Sequence, residues 1–281
     1  MDFSKIISCK NYVDIRKEEL WKHIAVLPSK PTLAVFQVDS NPASNAYVKG
    51  KEKDSNELGI KFIHINIDSN TMSQKMFEDL VIEANKNDDI NGIIIQLPIH
   101  KQYDLDVLQS LIRPEKDVDG FRRDSYFKPC TPKGIMDWLK FNNYDFVGKD
   151  IVVVGRSKIV GKPLVNMLID EGATVTCCNS KTKNLFDKTN KAELIVTAIG
   201  KPKHFKDINF GFDTLIVDVG INRDEAGKLC GDVDRERYKD MIDKGICYVT
   251  PVPNGVGLLT RLALMENVIK AYKLQNGGKG C

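Results

Sequence analysis

Residues 151–168, IVVVGRSKIVGKPLVNML, constrain this chain more than any other stretch. Ile151, Val152, Val153 and Val154 run unbroken to Gly155. Strands buried on both faces read as such runs, whereas strands with one wet face alternate. Gly161 follows, and Pro163 stands in the first turn of a helical pattern, where its missing N–H has no intrahelical partner to lose. The stretch therefore reads as a strand, a glycine-bearing turn and a helix. Such a unit aims free backbone N–H groups and a helix dipole at an anion such as a pyrophosphate. Ser157 takes the place of the second glycine in the G-x-G-x-x-G fingerprint, so spacing alone leaves two readings, a dinucleotide site and an ordinary βα unit.

The same alternation continues on both sides. Toward the N-terminus, helices are expected over residues 12–27, 44–58, 71–86 and 104–112, with strands over 32–38, 61–67 and 92–97. Gly59 stands where a helix C-cap belongs. Toward the C-terminus, helices are expected over 131–141, 163–171, 232–243 and 258–274, with strands over 151–154, 173–178, 194–199, 214–219 and 246–249. Strands alternating with helices imply an α/β fold with parallel sheets. A chain of 281 residues has room for two domains, and the polar, irregular residues 120–129 are the expected boundary.

Composition excludes several classes of partner. Lysine and arginine total 41 against 38 aspartate and glutamate, a net charge of +3 with no long basic run. This argues against a nucleic-acid groove or a membrane patch. No apolar run approaches the roughly 18–20 residues that span a bilayer, and the N-terminal residues lack a signal-type apolar core. The seven cysteines are odd in number and form no C-x-x-C, so they read as reduced thiols of a cytoplasmic protein. His23, His64, His100 and His204 lie far apart, and no metal site is expected.

Three smaller features carry candidate chemistry. Tyr47 and Lys51 are four apart on the 44–58 helix and share a face. An inward lysine is desolvated, which lowers its pKa and makes it a candidate base. By residue type alone, a solvated surface lysine is the commoner outcome. Gln96 sits at the carboxyl end of the 92–97 strand, where ligands gather in open α/β sheets, though a glutamine there can equally cap the strand edge. Asp117 and Asp119 form a D-x-D turn that either holds a metal or bonds its own backbone.

Taken together and in order, these stretches resemble the bifunctional methylenetetrahydrofolate dehydrogenase/cyclohydrolase family of one-carbon metabolism. The matching motifs are YVKGK, IIIQLP, PEKDVDGF, PCTPKG, VVVGRSKIVGKP, CNSKT, AIGKP, DVGIN, GDVD and TPVPNGVG, followed by TRLALMENVIKA. GRSKIVGKP and PEKDVDG are the most specific. The resemblance implies two domains around a cleft, the second a Rossmann-like parallel sheet. It implies a folate-binding catalytic domain of residues 1–120 plus 258–281 and an NADP-binding domain of residues 121–257. It implies oxidation of 5,10-methylenetetrahydrofolate to the methenyl form with a nicotinamide, then hydrolysis to 10-formyltetrahydrofolate.

Residue roles follow from the same resemblance. Lys51 matches the catalytic lysine, Tyr47 its tyrosine partner, and Gln96 the glutamine beside the reacting carbon. Asp119 matches the residue that bonds the pterin ring. Ile95 and Leu97 flank Gln96 on the substrate side, and Pro253, Asn254, Gly255, Val256 and Gly257 match a substrate-side loop. Gly155, Arg156, Ser157, Ser180 and Ile221 match cofactor contacts. Those residue types suit the chemistry: a carboxylate orients planar N–H donors, and hydrolysis of a cationic methenyl carbon needs a group that moves a proton.

The chain also departs from the family pattern. Residues 121–130, FRRDSYFKPC, are shorter than the usual segment, and Asn254, Leu258 and Asn179 replace a usual glycine, proline and histidine. The strand ending CNSK carries no carboxylate for a ribose hydroxyl, while Arg156 and Lys181 suit a 2′-phosphate, so NADP is the expected cofactor. A homodimer is expected, through an edge of the cofactor-domain sheet. Two rival readings are a shikimate-type dehydrogenase of similar architecture and a non-catalytic nucleotide-binding protein.

Overall fold

The computed structural model describes residues 3, 7–40, 42–206, 210–211 and 213–277. The chain forms two compact units, one of residues 15–130 with 261–281 and the other of residues 1–14 with 131–260.

In the first of these, the chain runs α1 (Lys10–Ala25), β1 (Thr32–Val38), α2 (Pro42–Leu58), β2 (Lys61–Ile67), α3 (Gln74–Lys86), β3 (Gly92–Gln96) and α4 (Leu105–Leu111). The strands form a parallel sheet in the order β2-β1-β3. Parallel pairing requires long crossovers, and α2 and α3 supply them. β1 and β3 are wholly buried, as their largely apolar runs demand, while edge strand β2 is exposed or half-buried up to Ile67. Helix starts follow cap chemistry. α3 begins after Ser73, whose hydroxyl accepts from the Met76 N–H, three residues later than periodicity predicts. Asp104 caps α4 in the same way, and Gly59 leaves α2 with φ +80°.

One sheet face carries the core. Ala34, Phe36, Val38, Ile93 and Ile95 pack with Phe77 and Val81 of α3 and Leu108 of α4. Alternation puts Gln37 and Gln96, which are register partners, together on the opposite face.

The second unit contains α5 (Cys130–Phe141), β4 (Asp150–Val154), α6 (Gly161–Asp170), β5 (Thr174–Cys178), α7 (Leu185–Thr189), β6 (Leu194–Thr197), β7 (Thr214–Asp218), β8 (Asn222–Arg223), β9 (Leu229–Cys230), α8 (Lys239–Asp243) and β10 (Cys247–Val249). α9 (Val256–Asn276) begins here and continues into the other unit. The parallel sheet has the order β10-β7-β6-β4-β5. The chain leaves β4 for β5 on one side and returns to β6 on the other. The carboxyl ends of β4 and β6 are therefore the topological switch point, where open α/β sheets bind ligands.

Three local expectations are corrected. The helix expected over 232–243 is only Lys239–Asp243, because Asp232 is spent elsewhere as a buried acceptor. The short helix α7 and the hairpin β8–β9 were not foreseen, and both are too short to show a period. α9 starts at Val256, so Val256 and Gly257 form its first turn rather than loop. Cys9, Cys130, Cys177, Cys178, Cys230 and Cys247 are free thiols, and Cys281 lies outside the described residues.

Candidate active site

α2 projects its functional face from an anchored backbone. Tyr47, Lys51, Asp54 and Leu58 lie along that face. Asp54 is buried, and Lys17 of α1 reaches its Oδ1 at 2.5 Å and Glu57 at 2.6 Å. Arg261 of α9 places Nε 2.8 Å from Asp54 Oδ2, a Coulombic contact rather than an aligned hydrogen bond. The arginine crosses α2 at Gly50, where a Cβ would come 2.4 Å from Nη1.

From this face Lys51 Nζ donates to Gln96 Oε1 at 2.9 Å. Gln96 is buried, and its own Nε2 donates to the Leu97 carbonyl at 2.7 Å. That second bond fixes which end of the amide meets the lysine. Tyr47, half-buried, has its phenol pushed up by burial, with the Arg261 charge opposing. Ile95 is buried beneath the site, whereas Leu97 is half-buried beyond it.

Asp119 comes to the same place from the following turn. It is half-buried, and desolvation raises its carboxyl pKa while the Lys51 charge, first among the opposing effects, lowers it. The turn that presents it is pinned on three sides. Lys116, buried, donates Nζ to the Asn85 and Asn87 carbonyls at the end of α3, at 2.9 and 2.8 Å. Ile93 N–H donates to the Lys116 carbonyl, which joins the turn to β3. Asn267 of α9 donates to the Val118 carbonyl at 2.8 Å. Asp117 accepts from the Arg122 N–H at 2.9 Å and so bonds its own turn. Among the described residues, no group of three or more His, Cys, Asp or Glu side chains could hold a metal ion.

The structure thus brings Lys51, Gln96 and Asp119 together, with Tyr47 one turn away. Sequence reasoning passed over their supports, Asp54, Arg261, Lys116 and Asn267. Arg261 and Asn267 stand among apolar residues of α9, whereas Asp54 and Lys116 carry no such signal in the sequence.

The cofactor-side residues lie in the other unit. Gly155 has φ +128°, and a Cβ there would come 2.2 Å from the Ala198 carbonyl. Gly161 is equally constrained: its Cβ would fall 2.0 Å from the Gly155 carbonyl. Both glycines are needed to fold the turn back against β6. The expectation of free N–H groups at the α6 start is corrected. Gly161 donates to Ser157 Oγ, Lys162 to the Ser157 carbonyl and Leu164 to the Val160 carbonyl, and Pro163 has no N–H. Ser157 thus takes up N–H groups just ahead of and in the first turn of α6, whose N-cap is Val160.

Arg156, Ser157 and Ser180 are exposed beyond β4 and β5. Asn179 Oδ1 accepts from the Lys181 N–H, and no carboxylate follows Cys178 in the turn. Ile221, 37% exposed, lies beyond β7. These exposed cations and hydroxyls at strand carboxyl ends fit a phosphorylated dinucleotide. Pro253 and Asn254 are exposed, and Asn254 has φ +76°. That left-handed backbone explains a usual glycine at this position and the tolerance of asparagine.

Comparison with known proteins settles the family. A family model described as tetrahydrofolate dehydrogenase/cyclohydrolase, catalytic domain, matches residues 7–119, and the NAD(P)-binding domain of the same name matches residues 129–276. The chain belongs to the tetrahydrofolate dehydrogenase/cyclohydrolase family. It is 38% identical over 280 residues to a protein named bifunctional protein FolD from Bacillus velezensis, covering 95% of this chain and 97% of that one. It is similar to the crystal structure of bifunctional FolD methylenetetrahydrofolate dehydrogenase/cyclohydrolase from Campylobacter jejuni, with TM-score 0.88, 37% identity and coverage of 95% and 98%. The Trypanosoma brucei family member, solved with NADP cofactor and an inhibitor, gives TM-score 0.86 at 26% identity, covering 96% and 97%. Family membership displaces the shikimate-type reading.

Proposed function

We propose that this family member oxidises 5,10-methylenetetrahydrofolate to 5,10-methenyltetrahydrofolate with NADP and hydrolyses the product to 10-formyltetrahydrofolate. The observation that carries the reading is the Lys51–Gln96 bond of 2.9 Å, with the Asp119 carboxyl in electrostatic reach of the same lysine. Asp119 orients the pterin through its N–H groups. Gln96 holds Lys51 Nζ beside the reacting carbon, with Leu97 and Tyr47 lining the folate and Ile95 packed in the core on the other sheet face. In hydrolysis, water oxygen bonds the methenyl carbon, and one of its protons is relayed through Lys51 to N5 as the bond from that carbon to N5 breaks. The second water proton leaves to solvent as the hydroxyl collapses to the formyl C=O on N10. General acid–base help of this kind contributes about 10²–10⁴-fold.

NADP, when bound, supplies the hydride acceptor. Gly155, Arg156, Ser157, Ser180 and Ile221 are assigned to hold it, with Arg156 and Lys181 directed at the 2′-phosphate. Residues 1–120 with 258–281 are assigned to folate, residues 121–257 to the cofactor, and Pro253–Gly257 to the substrate-side loop. The enzyme is assigned to the cytoplasm, consistent with its free thiols. No described helix is long and apolar enough to cross a membrane.

We assign a homodimer. Edge strand β5 offers exposed Thr174, Thr176 and Cys177, and unpaired strand edges invite pairing. Sedimentation at micromolar concentration is expected to give a dimer; a monomer alone would reject this.

A single assay tests the whole reading. With methylenetetrahydrofolate and NADP, absorbance is expected to report NADPH formation while the methenyl signal rises and then decays. NADP binding without turnover would reject it.

A further inference from the structure

Two carboxylates in the second unit are buried without any role in the chemistry above. Asp218 ends β7, and Asp232 lies in the GDVD segment; they are 1% and 0% exposed. Asp232 Oδ2 accepts from the N–H groups of Ile199 and Gly200 at 2.7 and 3.2 Å. Its Oδ1 accepts from Lys201 N–H and from the Asn222 side-chain amide, both at 2.9 Å. One carboxylate thus gathers three consecutive N–H groups beyond β6 and a side chain beyond β7. Backbone N–H concavities of this form are anion sites, and here the anion is internal.

Asp218 completes the clamp. Its Oδ1 accepts from the N–H groups of Gly220 and Asp232, each at 3.0 Å, and its Oδ2 from Val233 at 2.9 Å. Both carboxylates sit against glycine. A Cβ at Gly220 would fall 2.3 Å from Asp232 Oδ1, and one at Gly231 would fall 1.9 Å from Asp218 Oδ2. Ile221, between two clamped residues, nonetheless exposes its apolar side chain. A loop fixed this firmly to display an isoleucine is built for presentation. A disordered loop would lose ordering entropy on each binding event.

We propose that Asp232, held by Asp218, is a positioning residue for the cofactor site: it fixes the 199–201 and 220–222 loops so that Ile221 is preset for NADP. This rests on the assignment of this unit to NADP. Asp232 itself touches neither substrate nor cofactor.

Asp232→Asn is the direct test. Each carboxylate oxygen takes two donors, so whichever way the amide turns, its NH₂ faces two N–H groups. NADP dissociation constants by calorimetry, the NADP KM, and cyclohydrolase activity on methenyltetrahydrofolate without NADP are measured together. The variant is expected to bind NADP about tenfold or more weakly, since orphaned donors are costly, with the KM following and cyclohydrolase within about twofold. Asn222→Ala, which removes one donor only, is expected to lose about threefold in NADP affinity. Unchanged NADP affinity in Asp232→Asn would overturn the inference. Equal loss of both activities in both variants would reduce the clamp to a folding element and also overturn it. Wild-type protein that failed to bind NADP would overturn the cofactor assignment itself.

Discussion

Lys51 and Gln96 are 45 residues apart in the chain, yet Nζ donates to Oε1 at 2.9 Å. The bond joins the inward face of α2 to the carboxyl end of β3. A lysine left to itself samples many rotamers, and its ordering carries an entropy cost of about 1.5–2 kcal/mol. Gln96, buried and locked through Leu97, is already ordered, so the cost falls on one partner only. Asp54, three residues on along the same face, ties α2 to Lys17 of α1 and Arg261 of α9.

The first prediction tests the role of that lysine. Lys51→Met keeps length but removes proton transfer, and cyclohydrolase activity should fall about 10²–10⁴-fold. Hydride transfer has no proton for a base to take, so the dehydrogenase should lose less. Lys51→Arg keeps the charge without the ability to deprotonate and should also lose hydrolysis. Full cyclohydrolase activity in Lys51→Arg would leave Lys51 an electrostatic residue only.

Much of the scaffold was legible because it obeys local rules. β1 and β2 match their expected bounds to the residue, β1 as a largely apolar run and β2 as the alternating strand KFIHINI. Gly59 ends α2 as a left-handed cap should. The Tyr47–Lys51 spacing revealed a shared face but not its direction, because periodicity cannot say what a polar face meets. Asp232 opens the helix expected over 232–243, but its carboxylate caps three N–H groups more than thirty residues earlier in the chain. Ser157 misled in the opposite sense: it looked like a defect in a phosphate loop, and its hydroxyl accepts from the Val160 and Gly161 N–H groups where α6 begins. Tertiary hydrogen bonds decided the Lys51 and Asp232 cases, and no short window of sequence contains them, whereas the Ser157 bonds are local.

A second prediction concerns cofactor choice. Arg156 is exposed beyond β4, and the turn after Cys178 offers no carboxylate to a ribose hydroxyl. A guanidinium pairs with phosphate through parallel, charge-assisted bonds. Arg156→Ala should therefore lower kcat/KM with NADP by about tenfold or more, with little effect on NAD. Equal losses with both cofactors would sink the assignment to the 2′-phosphate.

The Gly50 crossing gives a third prediction, best read as a double-mutant cycle. Glycine to alanine inside a helix ordinarily gains about 1 kcal/mol. At Gly50 the new Cβ would meet Arg261 Nη1 at 2.4 Å and force the arginine away from Asp54. Gly50→Ala should thus gain nothing in wild type, yet gain about 1 kcal/mol in an Arg261→Ala background. Chemical denaturation of the four proteins measures the coupling, and additive effects would mean that the helices do not meet there.

The last prediction follows from the Asp218 carboxyl, which is pushed up from 3.8 to about 6. Burial is the main cause, and the neighbouring Asp232 charge adds to it. The N–H groups of Val233, Asp232 and Gly220 oppose the rise, and the Arg235 guanidinium also faces this carboxylate. The folded-state value lies above the unfolded one, so between the two the folded protein holds the proton more tightly. This contribution to stability is fully present below about pH 4 and is lost as pH rises through about 6. Lowering pH from 7 to 5 should therefore add about 1 kcal/mol from this group. Other carboxylates titrate too, so the comparison is made with Asp218→Asn, which cannot titrate. Stability by chemical denaturation should rise more in wild type than in the variant over that interval. Parallel pH profiles would show that Asp218 is ionised as easily in the folded protein as in the unfolded chain.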